Sequence, residues 1–241
     1  MIEAKGARIG LVTTVGFNDV LEIGRQMRHK VYDLALKPET PVFLAPCALR
    51  KEVGERLTAT GDVLVPLDES SVMNTIDELV ADGVESVAVS YLFSFLNPAH
   101  ERRTREIIAD RHQIMVSLSS EVDPAFREYE YTCVTAFDAY IKPVVGRYLE
   151  RMEQDLAEDG DQTPLQIMQS RGGISSSTIA RQRPVRLFLS ASAAGPRAPA
   201  ALIIGEQYRG SWSCSARRTR RIHHGRCDRV RPGRPSGRVG R

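Results

Sequence analysis

The stretch SVAVSYLF, residues 86–93, decides the fold of this chain. It is an apolar run without the strict alternation of polar and apolar residues that marks a half-exposed strand. Such a run predicts a strand that is covered on both faces, as in the parallel sheets of α/β proteins. The segments on either side of this strand therefore have to supply the helices that cover it.

A helical pattern precedes the strand. Asp68 is placed to cap its first turn, and Gly83 lies where a left-handed residue commonly ends a helix. The apolar residues between them repeat at helical spacing and predict one buried face, which comprises Val72, Met73, Ile76, Leu79 and Val80. A short apolar run, residues 63–65, comes before this helix and predicts another strand.

A second helical pattern follows the strand. Asn97 supplies an N-cap and Pro98 a first-turn proline for a helix that runs to about Asp110. Residues 114–118 then predict the next strand. With residues 63–65, the order is β-α-β-α-β, which predicts an α/β fold with parallel strands and right-handed crossovers.

Residues 11–26, LVTTVGFNDVLEIGRQ, also read as strand, turn and helix. The strand ends at Thr13 and Thr14, Gly16 follows, and an amphipathic helical pattern begins whose apolar face comprises Phe17, Val20, Leu21, Gly24 and Met27. Hydroxyls and free N–H groups meet at this junction, where α/β enzymes often bind anions. An ordinary βα corner is the alternative interpretation.

The second half of the chain contains one long helix and a glycine-containing turn. Residues 126–157 predict the helix, with a break or kink near Pro143. A short strand, 165–168, ends in the turn QSRGG, 169–173, before a helix capped by one of the serines 175–177. Glycines let a backbone approach a ligand, and the N–H groups of such a turn can point at phosphate. A plain tight turn is the alternative, because neither GxxxxGK[ST] nor GxGxxG occurs.

Other residues with catalytic or metal-binding chemistry give weaker signals. His100 and Glu101 lack the second histidine that a zinc-binding helix requires, which favours a surface or packing role for His100. Glu121, Asp123 and Glu130 could pair for acid–base chemistry, although their spacing does not require it. The residues alone therefore identify neither a metal ligand nor a catalytic base.

The bulk properties are those of a globular protein of 241 residues, enough for one large or two small domains. No run of about 18 apolar residues occurs, so no membrane span is expected. The N-terminus lacks the apolar region of a secretory signal, and the 4 cysteines show no CxxC spacing. These features predict a cytoplasmic protein with reduced thiols.

Charge is distributed unevenly along the chain. Residues 209–241 carry 11 of the 33 basic residues, all of them arginine, and 1 of the 30 acidic residues, which gives this tail a net charge of +10. Residues 1–208 carry a net charge of −7. An acidic body argues against nucleic-acid binding by the folded part.

Three interpretations of the tail are open. It contains Cys214, His223, His224 and Cys227, which could form a zinc set, but their spacing fits no standard site. An arginine-rich nucleic-acid tail is the second interpretation. We favour the third, in which a frameshift near residues 191–211 makes the tail an out-of-frame, disordered sequence, because it is rich in Arg, Gly, Pro and Ser and lacks Lys, Leu and Glu.

Seven blocks of this sequence together resemble the hydantoinase A / 5-oxoprolinase family. They occur in order over about residues 4–207, and their combination is far more specific than any one of them. The blocks are TTVGFNDVLEIGRQ (13–26), Tyr32-Asp33-Leu34, Glu55-Arg56, LFSFLNPAHE (92–101), SLSSEV (117–122), REYEYT (127–132) and IMQSRGG (167–173).

The resemblance implies part of an actin-like (ASKHA-type) ATPase fold with parallel βαβ units. It also implies an ATP-dependent hydrolase that uses ATP and Mg²⁺ to phosphorylate the carbonyl oxygen of a cyclic amide before ring opening. Phosphorylation gives a poor electrophile a leaving group, and Mg²⁺ and backbone N–H groups stabilise the developing charge. An acetone or acetophenone carboxylase-type subunit is one alternative, and a non-catalytic remnant that binds a partner through the 126–157 helix is another.

The resemblance also implies sites, partners and domains. The resemblance places Gln169, Ser170, Gly172 and Gly173 beside the nucleotide cleft as cofactor-binding residues. It places Thr13, Thr14 and Arg25 on the substrate side of the site. The implied partners are a B-type subunit or domain and a small cyclic amide, with homo-oligomers as a further option and neither nucleic acid nor membrane. The implied domains are 1–122, the C-terminal part of the family's N-terminal domain, 123–208, the start of the hydantoinase A domain, and the tail 209–241.

The sequence departs from the family at its phosphate-binding motifs. The family's Asp-x-Gly-Gly-Thr-x-Thr-Asp motif is expected upstream of Gly6 and is absent, and no second Asp-Gly-Gly-Thr motif follows residues 190–195. Within that turn, Ala191 and Ser192 stand where the family pattern has Gly and Pro.

We expect the 241-residue chain by itself to show no Mg²⁺-dependent ATP hydrolysis, because the loops that would hold the phosphates are absent. Phosphate release from the purified chain, measured with Mg²⁺, with EDTA and without protein, tests this expectation. Turnover well above the blank that disappears in EDTA would contradict it.

Overall fold

The computed structural model describes residues 6–25, 44–160 and 164–188. Its strands, in chain order, are β1 (Ile9–Thr14), β2 (Arg50–Val53), β3 (Arg56–Leu57), β4 (Val63–Val65), β5 (Ser86–Ser90), β6 (Met115–Leu118), β7 (Gln166–Met168) and β8 (Ile174–Ser176). Its helices are α1 (Val20–Ile23), α2 (Glu69–Ala81), α3 (Ala99–Arg111), α4 (Ser119–Val122), α5 (Glu128–Glu158) and α6 (Ser177–Gln182). Short 3-10 turns occupy Cys47–Leu49 and Pro184–Leu187.

The main sheet is parallel, with the strand order β2-β1-β5-β6. Leu11 lies opposite Arg50 on one side and Ala88 on the other, and Ala88 lies opposite Ser117. All five residues of β5 are buried, so the buried strand predicted from residues 86–93 is confirmed, although it ends at Ser90. A strand with neighbours on both sides and helices on both faces has no need of alternating polar residues.

Helices α2 and α3 cover one face of the sheet. The Asp68 carboxylate accepts hydrogen bonds from the N–H groups of Ser70 and Ser71, each at 3.1 Å, and caps α2 as predicted. Gly83 follows the helix at φ 76°, also as predicted. The side chains that α2 and α3 bury against the strands include Val72, Ile76, Leu79, Ile107 and Ile108.

Helix α5 covers the other face. Its Ala136 and Ala139 pack against Ile9, Leu11 and Ala88 of the sheet. Small side chains at this contact let a helix backbone come close to the strands, and such a contact has little room for larger groups.

Polar contacts fix α5 to the edge strand β6. Lys142 Nζ donates to the Val116 carbonyl and to Ser117 Oγ, both at 2.9 Å, and lies 3.3 Å from the Asp138 carboxylate. The other Asp138 oxygen accepts the Val185 N–H at 3.0 Å. Burial lowers the pKa of Lys142, while the nearby Asp138 acts in the opposite direction. These contacts tie β6, α5 and the 184–187 turn together.

The predicted strand at residues 63–65 exists but is not part of the parallel sheet. Val65 lies opposite Arg56 and Val63 opposite Leu57, in an antiparallel pair of β4 with β3. The predicted β-α-β-α-β unit is therefore wrong for its first strand, and β1 occupies the place beside β5 instead. Periodicity reports burial and extended geometry but not the identity of a strand's partner.

Two helices also differ from their predictions. The helical pattern after Gly16 produces only one turn, Val20–Ile23, and Gly24 follows with φ 55°. Helix α5 begins at Glu128 rather than at residue 126 and runs without a break to Glu158, so of the break or kink predicted near Pro143 the break does not occur. Pro143 removes one backbone N–H, but it lies in the buried face of α5, where packing against the sheet supports the helix.

Some predictions fall outside the described residues. These are the apolar residue Met27, the 32–34 block, the 190–195 turn, Cys214 and Cys227, and the tail 209–241. Within the described ranges, Cys47 and Cys133 are free thiols. No helix there combines the length and the apolar character that a membrane crossing requires.

Replacing Ala139, which is fully buried between α5 and the sheet, with Leu should lower the free energy of unfolding by about 1–3 kcal/mol, because the larger side chain overpacks the contact. Val144→Leu on the same helix is the control; Val144 is 38% exposed, and its change should stay within about 0.5 kcal/mol. Urea unfolding followed by circular dichroism measures both variants. Equal losses of free energy of unfolding in the two variants would contradict close packing at Ala139.

Candidate functional site

Five of the sequence blocks meet at one edge of the main sheet. Parallel strands all end at the same edge, so the residues that follow β1, β2, β5 and β6 come together there. They are Thr13 and Thr14 at the end of β1, Glu55 after β2, residues 92–101 after β5, Ser119 and Ser120 after β6, and residues 127–132 at the start of α5. In open α/β sheets this is the edge at which ligands bind.

The carboxylate of Glu101 joins the end of β5 to the residues that follow β6. Its Oε1 accepts hydrogen bonds from the Tyr91 N–H at 3.2 Å and from Ser119 Oγ at 2.6 Å. Its Oε2 accepts from the Ser120 N–H at 2.9 Å and from Ser120 Oγ at 2.6 Å. Complete burial raises the pKa of Glu101, and the hydrogen bonds from Ser119, Ser120 and Tyr91 act in the opposite direction.

A second buried carboxylate, that of Glu55, orders the neighbouring part of the edge. Glu55 Oε2 lies 2.7 Å from His100 Nδ1, and its Oε1 accepts a hydrogen bond from the Thr14 hydroxyl. Thr14 Oγ1 in turn accepts the Leu92 N–H at 3.0 Å. His100 is 8% exposed, so of the surface and packing roles considered for it the structure shows packing, beside a carboxylate that the sequence pattern did not indicate.

Backbone strain is concentrated at the same edge. Among the described residues other than glycine, two have a positive φ: Phe93 at 60° and Arg127 at 100°. Phe93 follows the Leu92 N–H held by Thr14, and Arg127 immediately precedes α5. Such conformations persist only where the surrounding contacts enforce them, and they are commonly found at functional sites.

A small depression opens between the ends of β1 and β5 and the start of α5. Its cavity volume is about 10 Å³, close to the least that can hold one water molecule, and its lining includes Thr13, Ser90 and Thr132 as well as Phe17, Leu92 and Tyr131. The hydroxyls of Ser90 and Thr132 bond to each other at 2.7 Å. The buried Thr13 Oγ1 has no hydrogen-bond partner in the described part of the chain. We call this feature the Thr13 depression.

The three residues predicted for the substrate side lie at this edge in different settings. Thr13 lines the depression, whereas the hydroxyl of Thr14 is used in the contact with Glu55. Arg25 pairs with Glu130 of α5, with 2.9 Å between Nε and Oε1. The part that each plays in substrate binding stays a prediction.

The residues predicted for cofactor binding, 169–173, form a different kind of turn from the one expected. They close a hairpin between β7 and β8 rather than lead from a strand into a helix. The predicted strand-to-helix turn was therefore wrong. The helix begins only after β8, where Ser176 Oγ accepts the Ile179 N–H at 3.4 Å. A three-residue strand after the glycines was too short for the sequence pattern to reveal.

The backbone of this turn is engaged within the protein. Gly172 and Gly173 have φ values of 85° and 89°. The N–H of Gln169 donates to the Gly173 carbonyl at 3.0 Å, that of Ser170 to the Arg186 carbonyl at 2.8 Å, and that of Gly172 to the Gln169 carbonyl at 3.0 Å. Three N–H groups of the turn are thus already bonded, and cofactor binding by Gln169, Ser170, Gly172 and Gly173 stays a prediction.

Two of the three acidic residues considered for acid–base chemistry form ion pairs with arginines. Glu121 lies 2.8 Å from Arg105, and Glu130 pairs with Arg25. Within residues 6–25, 44–160 and 164–188, no cluster of three or more His, Cys, Asp and Glu side chains could hold a metal ion.

A parallel sheet with helices on both faces is an α/β architecture, and open α/β sheets commonly bind ligands at the C-terminal edge, where the polar depression lies here. Two family models match the chain: the hydantoinase/oxoprolinase N-terminal region over residues 1–112, and hydantoinase/oxoprolinase over residues 132–208. The chain belongs to the hydantoinase/oxoprolinase family, as the sequence blocks predicted.

Characterised relatives cover most of this chain. The caprolactamase alpha subunit of Pseudomonas jessenii is 36% identical over 203 residues, which are 82% of this chain and 29% of the relative. The 5-oxoprolinase of Saccharomyces cerevisiae is 32% identical over 200 residues, which are 72% of this chain and 15% of the relative. The chain thus spans less than a third of the length of these curated relatives.

Solved structures confirm the predicted fold class. The crystal structure of ATP-dependent caprolactamase from Pseudomonas jessenii matches with a TM-score of 0.72 and 34% identity, over 86% of this chain and 30% of that chain. A nucleotide-free acetone carboxylase structure matches with a TM-score of 0.69 and 25% identity, over 85% of this chain and 30% of that chain. The mixed α/β fold with its parallel sheet is consistent with part of an actin-like ATPase fold.

The raised pKa of Glu101 predicts a particular dependence of stability on pH. The folded state keeps the proton at pH values where the unfolded chain has lost it, so this contribution to stability is present at acid pH and is lost as the pH rises. Relative to Glu101→Gln, the wild-type chain should therefore lose free energy of unfolding as the pH rises above about 4, the usual pKa of a glutamate in an unfolded chain.

The measurement is urea unfolding of both chains at a series of pH values. Gln leaves one of the donors at Ser120 poorly paired, which lowers the stability of the variant at every pH but does not change the slope. A difference between the two chains that is constant with pH would contradict the raised pKa.

Proposed function

We propose that this chain carries one portion of an ATP-dependent hydrolase of cyclic amides, of the hydantoinase/5-oxoprolinase type. The observation that carries the proposal is the convergence of five family blocks on the C-terminal edge of the sheet, around the Thr13 depression. The names of two relatives, caprolactamase and 5-oxoprolinase, support an amide ring as the substrate. We place the reaction in the cytoplasm.

The substrate side of the proposed site is the sheet edge at Thr13, Thr14 and Arg25. Thr13 faces the ligand directly, because it lines the depression. Thr14 acts by positioning Leu92: its Oγ1, which bonds to Glu55, accepts the Leu92 N–H, and Leu92 forms part of the wall of the depression. Arg25 borders the entrance through its pair with Glu130. These side chains would hold and orient a small ring while its carbonyl oxygen is activated.

ATP would supply the phosphoryl group, and Mg²⁺ would neutralise its charge. The turn 169–173 is the nucleotide side that we propose, with Gln169, Ser170, Gly172 and Gly173 beside the cleft. The described ranges provide no set of metal ligands, and three N–H groups of the turn are already bonded. The described residues therefore do not by themselves fit a complete nucleotide–metal site, and we derive no step through it.

A partner subunit is part of the proposal. Relatives are named as the alpha subunit of caprolactamase, the gamma subunit of acetophenone carboxylase and the beta subunit of acetone carboxylase. We propose a hydantoinase B-type subunit or domain as the partner. We also keep the domain division at residues 122/123, near the gap between the two family matches.

A carboxylase-type subunit of the same family is the second candidate. The match to acetone carboxylase, with a TM-score of 0.69, is almost as close as that to caprolactamase, at 0.72. A non-catalytic remnant that binds a partner through α5 is less well supported, because α5 buries Thr132, Ala136, Ala139 and Leu149 within its own fold.

A chimera tests the proposed activity. Residues 6–188 of this chain replace the matching segment of the Pseudomonas jessenii caprolactamase alpha subunit, which is then purified with its partner. We expect ATP-dependent ring opening of caprolactam or 5-oxoproline, measured as amino acid and ADP formed together. The unaltered relative is the positive control, and the chimera without ATP is the negative control.

The outcomes separate the candidates. Bicarbonate-dependent carboxylation of acetone without ring opening would favour the carboxylase-type subunit. A chimera that folds and assembles, as judged by circular dichroism and gel filtration, but turns over neither kind of substrate would contradict a catalytic role for this segment.

A further inference from the structure

We propose that the Thr13 depression is a carbonyl-binding subsite in which Thr13 Oγ1 donates a hydrogen bond to the carbonyl oxygen of a small ligand. This inference deepens the proposed function and rests on it for the identity of the natural ligand. It concerns binding only, and the geometry of the depression is its basis.

The hydroxyl of Thr13 stands apart from the other hydroxyls at this edge. Thr14 bonds to Glu55, Ser90 to Thr132, and Ser94 to Ser119. Thr13 is only 2% exposed, yet its Oγ1 has no partner within the described ranges. An unpaired buried hydroxyl destabilises a folded protein, so its position at a depression points to a ligand atom that completes it.

The depression offers a second donor beside Thr13. Ser90 and Thr132 have two hydroxyl hydrogens between them, and their mutual hydrogen bond uses one. The other is left to donate. A carbonyl oxygen has two lone pairs and can accept from Thr13 and from this pair together. Two donors on one oxygen also favour the more negative forms of a carbonyl group.

The rest of the lining fits the remainder of such a ligand. Phe17, Leu92 and Tyr131 supply apolar surface for the hydrocarbon next to a carbonyl group. Glu128 is also among the lining residues, and its nearby negative charge disfavours a phosphate there. Caprolactamase, 5-oxoprolinase and acetone carboxylase are named for compounds that share a carbonyl group but not an amide N–H.

Entry of a ligand requires a small movement. Thr13 Oγ1 is enclosed in this structure, so the oxygen of a ligand reaches it when Thr13 rotates about its Cα–Cβ bond or when Phe17 shifts. Phe17 lies between Gly16 and Gly24, whose φ values are 85° and 55°. The segment that carries Phe17 is thus bounded by two residues with wide backbone freedom.

Two carbonyl probes and one ring without a carbonyl test the subsite on the full chain. The probes are 2-pyrrolidinone and cyclopentanone, and tetrahydrofuran is the comparison ring. Binding is followed by ¹H–¹⁵N chemical-shift titration in the absence of ATP. Both carbonyl probes should bind more tightly than tetrahydrofuran and should shift the signals of residues around Thr13.

Variants at Thr13 separate the hydroxyl from the shape of the side chain. Thr13→Val should weaken the binding of both carbonyl probes about tenfold, and Thr13→Ser should stay within about twofold of the wild type. Without ligand, Thr13→Val should raise the Tm by about 2 °C, because a methyl group replaces an unpaired hydroxyl. A purely structural Thr13 would give the opposite change in Tm.

Ser175→Ala is the matched control. Ser175 Oγ is a second buried hydroxyl without a partner in the described part of the chain, and Ser175 does not line the depression. Its replacement should leave probe binding unchanged. No binding of either probe to the wild-type chain, equal binding to Thr13→Val, or a lowered Tm of Thr13→Val would overturn the subsite.

The chimera and the titration test different claims, so either claim can be contradicted without the other. An inactive chimera with intact probe binding removes the proposed function and leaves the carbonyl subsite in place. An active chimera whose isolated chain shows no preference for the carbonyl probes removes the subsite alone.

Discussion

A carboxylate buried at the sheet edge is the constraint on which the rest of this structure depends. Glu101 lies in the first turn of α3 and is fully enclosed, so its oxygens require partners. The Tyr91 N–H and the two serines after β6 provide them. The exits of β5 and β6 are thereby fixed relative to α3. The next N–H along the chain, that of Leu92, is held by Thr14 and through it by Glu55. Two buried carboxylates thus fix consecutive residues of one loop.

The contacts that fix the loop after β5 differ from the groups that line the depression. The loop after β5 is fixed by contacts with buried and half-buried residues, while the edge of the sheet keeps a small polar depression. Most hydroxyls there are already satisfied, and the unpaired one belongs to Thr13, on the strand β1 between β2 and β5. A donor placed on a strand inside a sheet is held more precisely than one on a loop.

The sequence predicted what depends on local pattern. The buried strand β5, the Asp68 cap and the Gly83 stop are local features, and all were confirmed. The predicted start of α3 was one residue early, because Pro98 rather than Asn97 occupies the N-cap position, although Asn97 Oδ1 does accept the Ala99 N–H at 3.1 Å. What failed was pairing: β4 joins β3 rather than the sheet, and the turn 169–173 closes a hairpin. Both hairpins are built from strands of two or three residues, which are too short for their pairing to show in a periodic pattern. The Glu55–His100 pair, separated by 45 residues, was missed for another reason: a local pattern contains no information on contacts between distant segments, although both residues lie in the recognised blocks.

The strand order has a consequence for how the chain is made. β1 is synthesised before its two neighbours, and the second of them, β5, begins only at Ser86. Until that residue emerges, one edge of β1 has no strand partner and exposes unpaired backbone groups. The incomplete sheet is therefore prone to aggregate during synthesis. This interval ends when β5 pairs with β1, and the other edge of β5 then pairs with β6.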